Sequence, residues 1–275
     1  MTTTVDRARL LHGLHRGPGP LVLPNAWDVA SARIIEAAGA RAIATTSAGV
    51  AWSLGAPDGD ALGRDRAVDL VARTVAAVDV PVTADIESGF GTDPDGVAET
   101  IRGVLAAGAV GVNLEDAWHD GPASLRPVAE QAARIGAARR AADAAGVPLF
   151  INARVDVYLR NVGDPENRLA ETLDRAAAYL AAGADGIFVP GVLDPAVLTA
   201  LVAGIDAPLN VLAGPGAPTV AELGALGVAR ISAGSALAEA AYGLVRRAAG
   251  ELLGSGSYDT LRDGMDYPEL NALLR

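Results

Sequence analysis

The chain has 275 residues, of which 51% are hydrophobic, and a formal net charge of −11 at pH 7. This length and apolar content predict one large core, and we expect residues 1–275 to form a single α/β domain. Because nucleic-acid backbones are bound by basic patches, the excess of 33 acidic over 22 basic residues disfavours nucleic acid as a partner.

The residue inventory excludes several kinds of chemistry. The sequence contains no Cys, which excludes disulfides, thiolate nucleophiles and Cys-based metal sites. It also contains no Lys, which excludes Schiff-base mechanisms, including those of pyridoxal phosphate. No apolar run reaches the roughly 18 residues that cross a membrane, and the N-terminus does not resemble a signal peptide. We therefore expect a cytoplasmic protein that does not associate with membranes.

Short apolar segments alternate with Ala-rich amphipathic segments along the whole chain. The predicted strands lie at about Leu21–Leu23, Ala42–Thr45, Val82–Ala84, Gly111–Leu114, Leu149–Asn152, Gly186–Val189, Leu209–Leu212 and Arg230–Ser232. This alternation predicts a parallel sheet, and eight such units predict a (β/α)₈ TIM barrel. The alternative is an open doubly wound sheet, which is disfavoured because no glycine-rich dinucleotide turn follows the first strand. The chain then continues as a helical extension at about residues 245–275, which we expect to pack on the barrel or on a neighbouring subunit.

Acidic residues follow two neighbouring predicted strands. Asp85 and Glu87 are two apart at the end of the third strand and would face one side of an extended segment, and Glu115 ends the fourth strand. Three converging carboxylates would raise one another's pKa, and Mg²⁺ would relieve this repulsion because it prefers oxygen ligands. Its waters would bridge to outer carboxylates such as Glu87 and Glu115. The alternative is that these acids only cap strands and helices.

Other strand ends carry groups that suit an anion. Arg154 follows the fifth strand and would hold a carboxylate or phosphonate with two parallel hydrogen bonds; its alternative is a salt bridge to one of the acids. The Ser47–Gly49 turn, which includes Ala48, offers a hydroxyl and backbone N–H groups, or is a plain loop. Trp27 and Asn210 lie at the ends of the first and seventh strands, and we expect them to contact the substrate.

Four segments together resemble the isocitrate lyase / phosphoenolpyruvate mutase superfamily, and in particular its phosphoenolpyruvate phosphonomutase-like members. They are PNAWDVASARIIEAAGARAIATTSAGVAWSLGAPDGD, VTADIESGFG, GVNLEDA and INARVDVYL, in this order between about Leu21 and Leu159. The resemblance implies a (β/α)₈ barrel with a C-terminal helix that is often swapped between subunits, in a homodimer or homotetramer. It also implies Mg²⁺, with Mn²⁺ as an alternative, and a small 2-oxo carboxylate as substrate.

The resemblance also implies roles for individual residues. Asp85 matches the direct Mg²⁺ ligand, and Glu87 matches a metal-site acid that is commonly Asp. Glu115 and Asp58 match the remaining site carboxylates. The Ser47–Gly49 turn matches the segment that binds the substrate carboxylate, and Arg154 matches the substrate-binding arginine.

The chain departs from the superfamily in the loop that distinguishes its chemistries. The isocitrate and methylisocitrate lyases have a Lys-x-Cys-Gly-His segment after the fourth strand, and the phosphoenolpyruvate mutases have a Lys and an Asn there. This chain reads EDAWHDGPASLRPVAEQ, with neither set, and FVPGV stands where the lyases have a Glu after the sixth strand. Within the altered loop His119 is our candidate proton carrier because its imidazole titrates near neutral pH; the alternative is a solvated loop histidine.

Three functions follow from this combination. We favour a Mg²⁺-dependent lyase that cleaves a C–C bond in a small 2-oxo or 2-hydroxy carboxylate, with enolate charge stabilised by the metal. The alternatives are a phosphonopyruvate-type P–C mutase or hydrolase and a barrel that binds a metal and an oxo acid without turnover.

Overall fold

A computed structural model describes residues 3–275, and its centre is a closed parallel sheet. The strands are β1 Leu21–Leu23, β2 Asn25–Ala26, β3 Ile43–Thr45, β4 Val82–Asp85, β5 Gly111–Glu115, β6 Phe150–Arg154, β7 Gly186–Val189, β8 Leu209–Leu212 and β9 Arg230–Ser232. Their order is β1-β9-β8-β7-β6-β5-β4-β3-β2, and every pair is parallel. The prediction of a (β/α)₈ barrel is therefore confirmed, with strand positions correct to within two residues.

The first barrel strand is divided in two at Pro24. β1 pairs with β9 through Leu21 and Arg230, whereas β2 pairs with β3 through Asn25 and Ala44. Proline has no backbone N–H and cannot continue a ladder of hydrogen bonds. The strand therefore changes partners at Pro24, and this change closes the ring.

Helices alternate with the strands on the outside of the barrel. They are α1 Thr4–Leu14, α2 Val29–Ala37, α3 Ser47–Ser53, α4 Arg64–Ala77, α5 Pro94–Ala106, α6 Val128–Ala144, α7 Arg168–Ala181, α8 Pro195–Gly204, α9 Val220–Ala225, α10 Ala236–Gly254 and α11 Tyr267–Leu273, with short 3₁₀ turns at Pro165–Asn167 and Asp259–Leu261. Two of the Ala-rich helices are followed by Gly108 and Gly183 at φ of 88° and 109°, a left-handed conformation that glycine adopts without strain. None of the helices between residues 3 and 275 is long and apolar enough to cross a membrane.

A layer of polar side chains fills the barrel interior at mid-height. Asn152 donates through Nδ2 to Oδ1 of both Asn113 and Asn210, at 2.9 Å each. Arg230 lies across the barrel and donates through Nη2 to Oδ1 of Asn113 at 3.2 Å. All four side chains are at most 4% exposed, and their mutual hydrogen bonds replace most of those to water, although Nη1 of Arg230 has no partner in the described chain. This layer forms the floor beneath the carboxyl ends of the strands.

Candidate active site

Asp85 is the last residue of β4 and lies at the mouth of the barrel. Its backbone N–H donates to Oγ1 of Thr45 on β3 at 2.8 Å, which fixes the end of the strand. Its carboxylate accepts two long hydrogen bonds, from the N–H of Ser47 at 3.4 Å and from the N–H of Glu87 at 3.2 Å. Burial raises the pKa of Asp85 to about 6; the positive charge of Arg154 opposes this effect, and the negative charges of Glu115 and Asp58 add to it. Within residues 3–275 no cationic side chain forms an ion pair with Asp85.

Glu87 does not share a strand face with Asp85, and this expectation from the sequence is wrong. The strand ends at Asp85, and Glu87 has a φ of 51°, so the two residues are not in one extended segment. Oε2 of Glu87 accepts the backbone N–H groups of Gly59, at 2.8 Å, and of Asp60. Burial raises its pKa to about 8, and the neighbouring charges of Asp85 and Asp58 contribute. Glu87 therefore anchors the loop that follows α3.

Glu115 ends β5 and is engaged at both carboxylate oxygens. Oε2 pairs with Nη1 of Arg154 at 2.5 Å, which follows from the register that places these residues side by side on β5 and β6. Arg154 also forms a fork with Asp156, Nε to Oδ1 at 2.6 Å and Nη2 to Oδ2 at 2.9 Å. Burial alone would raise the pKa of Glu115, but the charge of Arg154 and the hydrogen bond from His119 lower it. The salt bridge weighed as an alternative for Arg154 is thus present in this structure.

The side chain of His119 extends from the loop after β5 to the cluster formed by Glu115, Arg154 and Asp156. Its Nε2 lies 2.8 Å from Oε1 of Glu115, and its Nδ1 lies 3.2 Å from Nη2 of Arg160. An arginine only donates, so Nδ1 accepts and the proton of the neutral ring sits on Nε2 and points at Glu115. The hydrogen bond to Glu115 raises the pKa of His119. His119 is therefore held by two partners rather than free in a solvated loop.

The loop itself is held at its base by a short antiparallel bridge. Ala117 pairs with Leu125, and the N–H of Trp118 donates to the carbonyl of Ser124 at 3.1 Å. The ring of His119 packs on Gly59, where an added Cβ would lie 3.1 Å from Nδ1. The loop after β5 and the loop after α3 thus meet over the barrel mouth.

Asp58 is exposed in that second loop and lies near enough to raise the pKa values of Asp85 and Glu87. The neighbouring Asp60 is more closely built into the site, since its carboxylate accepts hydrogen bonds from the N–H and the Oγ of Ser88. Burial raises the pKa of Asp60.

The predicted anion-binding turn is the start of α3. The helix begins at Ser47 after Thr46, whose side chain makes no capping hydrogen bond, and the N–H groups of a first helical turn have no intrahelical acceptor. Ala48 and Gly49 are buried. An added Cβ at Gly49 would lie 2.8 Å from Cβ of Trp27, so this glycine also permits the close packing of α3 on the first strand. Trp27 is half-buried beside the mouth of the barrel.

Asn210 lies below the mouth and is fully buried in the polar layer. Its Nδ2 donates to the carbonyl of Val211 at 2.8 Å, and its Oδ1 accepts from Asn152. The structure does not bring Asn210 together with the carboxylates at the surface of the site.

The donor set fits a Mg²⁺ ion held by few protein ligands. Asp85 presents a carboxylate without an ion-pair partner in the described chain, near the negative charges of Glu115 and Asp58 and the positive charge of Arg154. A carboxylate oxygen that is not tied up in an ion pair is a ligand that a hard cation prefers. Across residues 3–275, however, no three His, Asp or Glu side chains are arranged to hold one metal ion. Asp85, Glu87 and Glu115, which were expected to share an ion, therefore do not converge on one point. Glu87 accepts hydrogen bonds from the loop after α3, and Glu115 pairs with Arg154. Such a site suits Mg²⁺, which commonly keeps several waters, better than a metal that needs three protein ligands.

Two residues of the cluster were not predicted from the sequence as site residues. Asp156 and Arg160 orient Arg154 and His119, and Nε of Arg160 lies 3.5 Å from Oδ2 of Asp156. The sequence pattern that could have identified them is the spacing Arg-x-Asp-x₃-Arg after an apolar strand. This spacing places three charged residues at the end of a strand and in the turn that follows it.

The fold and this cluster define a barrel enzyme with a carboxylate–arginine site at the carboxyl ends of its strands. The family model described as phosphoenolpyruvate phosphomutase matches residues 10–253. The chain belongs to this family, within the isocitrate lyase / phosphoenolpyruvate mutase superfamily of Mg²⁺-dependent lyases and mutases.

Three comparisons give the range of similarity. An uncharacterized protein of Mycobacterium tuberculosis is 42% identical over 225 residues, which cover 82% of this chain and 81% of that protein. A solved structure from Burkholderia cenocepacia J2315, described only provisionally as a lyase or mutase, is 40% identical with a TM-score of 0.92, over 98% of this chain and 96% of that one. The 2-methylisocitrate lyase of Salmonella typhimurium is 32% identical over 174 residues, or 62% of this chain and 57% of the lyase. The protein is an enzyme of this superfamily, and enzymes of the superfamily act on small carboxylates.

Proposed function

We propose that this protein is a Mg²⁺-dependent lyase that cleaves a C–C bond in a small 2-oxo or 2-hydroxy carboxylate. The observation that carries the proposal is the position of Asp85, a carboxylate without a salt bridge in the described chain, between the first turn of α3 and the guanidinium of Arg154. The similarity to a 2-methylisocitrate lyase supports the same class of reaction.

Asp85 would hold the metal directly, and Glu87, Glu115 and Asp58 would hold its waters. Bound Mg²⁺ would supply a Lewis acid that stabilises negative charge on the substrate oxygens. The N–H groups of the first turn of α3 beyond Ser47, whose own N–H donates to Asp85, would bind the substrate carboxylate. Trp27 would contact the carbon chain of the substrate. Arg154 stays charged in its pairs with Glu115 and Asp156, because their negative charges and that of Asp85 raise its pKa. It would bind the substrate beside Asp85.

His119 would carry the proton in place of the Lys and Cys groups of the relatives. Glu115 and Arg160 hold its ring in one orientation, with the proton on Nε2 toward Glu115. Arg160 would have to release Nδ1 before this nitrogen accepts a proton from the substrate. The loop after β5 therefore supplies the group that distinguishes this chain from the lyases with a cysteine.

The proposal is tested with purified protein, Mg²⁺ and a panel of oxaloacetate, 2-methylisocitrate, substituted malates and phosphonopyruvate. We expect pyruvate or another 2-oxo acid together with a second carboxylate as products. Release of phosphate from phosphonopyruvate would instead support P–C chemistry. Absence of turnover with intact Mg²⁺-dependent oxalate binding would support a binding barrel.

The metal assignment is tested separately by calorimetry with oxalate. The Asp85→Asn variant should lose Mg²⁺-dependent oxalate binding, whereas Asp69→Asn, an exposed acid on α4, should retain it. Mn²⁺ in place of Mg²⁺ tests whether the site accepts a second hard cation. Unchanged oxalate binding by Asp85→Asn would show that the metal lies elsewhere.

We also propose that the protein is a homo-oligomer formed through its C-terminal helices. Only Ala238 and Ala248 of α10 are buried, whereas Val245 and Leu253 are 63% and 90% exposed. The segment beyond α10 exposes Tyr258 and Tyr267 as well, at 69% and 82%. An apolar surface of this kind marks an interaction site, and a second copy swapping these helices would cover it. A monomeric mass in light scattering would contradict this proposal.

A further inference from the structure

Three buried polar side chains at the closed end of the barrel each carry an atom without a hydrogen-bond partner in the described chain. They are Thr83 on β4, Arg230 on β9 and His15 at the end of α1, and none is more than 5% exposed. The atoms are Oγ1 of Thr83, Nη1 of Arg230 and Nε2 of His15. Buried polar atoms without partners are rare in native proteins, so each of them calls for a partner that is not part of the chain. None of the three residues has a role in the function proposed above.

The register of the strands places Thr83 inside the barrel, one level below the polar layer. Thr83, Gly111 and Phe150 lie side by side on β4, β5 and β6. Asn113, two residues beyond Gly111, faces the interior, where it accepts a hydrogen bond from Asn152. Residues two apart on a strand share a face, so Gly111 and its neighbour Thr83 also face the interior.

Helix α1 closes this end of the barrel and brings His15 to the same level. An added Cβ at Gly111 would lie 2.7 Å from Cδ2 of Leu11 and 2.7 Å from Oγ1 of Thr83, so α1 packs directly against this part of the sheet. One turn later His15 stacks on Phe150, with ring centroids 3.8 Å apart. Because Phe150 is the neighbour of Gly111 in the sheet, the imidazole and the hydroxyl of Thr83 border one region of the interior.

Arg230 reaches this region from β9 as a buried charge. Its Nη2 donates to Oδ1 of Asn113 at 3.2 Å, and its Nε lies 3.4 Å from Oγ of Ser232. Burial, and after it the charge of Arg230, lowers the pKa of His15 to about 3, which shows that the guanidinium is near the imidazole. None of the ion pairs among residues 3–275 includes Arg230. A buried charge without a counter-ion is costly unless polar groups solvate it.

The hydrogen-bonding capacity of these groups selects the kind of ligand. Nδ1 of His15 lies 2.8 Å from the carbonyl oxygen of Leu11, which only accepts, so Nδ1 carries the proton and Nε2 of the neutral ring is an acceptor. Nη1 of Arg230 only donates, whereas the hydroxyl of Thr83 does both. The ligand must therefore both accept and donate. Water does so, but a halide or a carboxylate would leave Nε2 without a donor.

We propose that the barrel interior between α1 and the polar layer holds one structural water molecule, which accepts a hydrogen bond from Nη1 of Arg230 and donates to Nε2 of His15 and Oγ1 of Thr83. Three hydrogen bonds are typical of a buried water. The water solvates the charge of Arg230 and connects α1 to β4 and β9. Because Arg230 also donates to Asn113, the N-terminal helix is joined through this water to the layer beneath the candidate active site.

The first test is a crystal structure of the full chain from crystals grown in sodium bromide. We expect a density peak without anomalous signal at hydrogen-bonding distance, about 2.7 to 3.2 Å, from Nη1 of Arg230, Nε2 of His15 and Oγ1 of Thr83. An anomalous bromide peak at this place would overturn the assignment of water and show an anion site. Continuous absence of density between the three atoms would overturn the proposal altogether. This test needs no variant, so it decides the proposal even where a substituted chain does not fold.

The second test is a double-mutant cycle between His15→Phe and Thr83→Val, measured by denaturant unfolding. The described chain contains no direct hydrogen bond between these side chains, so coupling between them reports on the molecule that bridges them. The first substitution already weakens the binding of the water, and the second then has less to remove. We expect the double variant to change the unfolding equilibrium constant by at least about threefold less than the product of the two single effects.

A matched control uses a second buried threonine. Oγ1 of Thr100 on α5 donates to the carbonyl of Gly89 at 2.7 Å, so Thr100→Val removes a hydroxyl that already has a protein partner. Combined with His15→Phe, it should give additive effects, because Thr100 lies on the outer side of the sheet. Additive effects for His15→Phe and Thr83→Val as well would contradict a water shared by the two residues.

Discussion

Arg160 donates a hydrogen bond to Nδ1 of His119, at 3.2 Å, and thereby fixes the tautomer of the one histidine near the carboxylate cluster. Because Nδ1 must accept, the neutral ring carries its proton on Nε2, where it points at Glu115. In the Arg160→Met variant the positive charge that lowers the pKa of His119 is removed, and we expect this pKa to rise, while the neutral ring keeps its proton on Nε2 because Glu115 still accepts it. Nitrogen-15 shifts of the imidazole, followed through a pH titration, measure both the pKa and the tautomer. A pKa that stays unchanged or falls in the variant would show that the charge of Arg160 does not act on His119.

His15 is expected to make folding stability depend on pH. It is 5% exposed, stacks on Phe150 with ring centroids 3.8 Å apart, and its buried Nε2 has no partner in the described structure. Burial lowers its pKa to about 3. The unfolded chain takes up a proton below a pKa of about 6.5, and the folded chain does so only near 3. His15 therefore costs stability as the pH falls between these values, by about 1.4 kcal/mol for each pH unit.

Replacing His15 with Phe should remove this contribution, because the ring still stacks on Phe150 but does not titrate. Urea unfolding of both proteins at pH 7, 6 and 5 gives the difference in the free energy of unfolding. We expect the wild type to lose stability relative to the variant as the pH falls. Parallel curves would mean that His15 titrates normally in the folded state.

Gly49 should not tolerate a side chain. An added Cβ would lie 2.8 Å from Cβ of Trp27 and 2.9 Å from Cγ2 of Thr46, so α3 would have to move away from the first strand. We expect Gly49→Ala to destabilise the fold by about 1 to 3 kcal/mol and to weaken oxalate binding. The matched control is Gly250→Ala in α10, which meets no atom within 4 Å and should be stabilising by about 0.5 to 1 kcal/mol. Thermal unfolding of the two variants measures both effects.

Asp116 connects the backbone of Asp156, next to the site, with Arg175 and Tyr179 on α7. Its Oδ1 accepts the N–H of Asp156 at 2.9 Å, and its Oδ2 accepts from Tyr179 Oη at 2.8 Å and from Arg175 Nη1 at 3.1 Å. The Asp116→Asn variant removes the buried charge that pairs with Arg175 and leaves the more exposed Glu171 as its charged partner, and we expect a loss of about 1.5 to 3 kcal/mol. Tyr179→Phe removes a single hydrogen bond and should cost only about 1 kcal/mol. The free energy of unfolding of each variant is measured with a denaturant. Equal decreases for Asp116→Asn and Tyr179→Phe would show that the charge of Asp116 contributes no more than the single hydrogen bond of Tyr179.

The strand that ends at Asp85 was predictable because a short apolar run with a proline before it is a local signal. The conformation of Glu87 was not, since its φ of 51° accompanies hydrogen bonds to Gly59 and Asp60, which lie nearly 30 residues earlier in the chain. The choice between anion binding and a salt bridge for Arg154 likewise depends on the register of β5 against β6. Sequence patterns therefore predict the order of the strands. The side-chain contacts between residues on different loops can be identified only from the folded structure.

The division of the first strand at Pro24 also has a consequence for the order of folding. Among the strands of residues 3–275, β1 pairs only with β9, so Leu21 can pair with Arg230 only after most of the chain has been synthesised. β2, which begins two residues after the end of β1, pairs with the much closer β3. Long-range pairing of this kind is slow because a large loop must close first. The ring therefore cannot close through the β1–β9 pair before Arg230–Ser232 has been synthesised, and we expect β1 to be the last strand to find its place in the sheet.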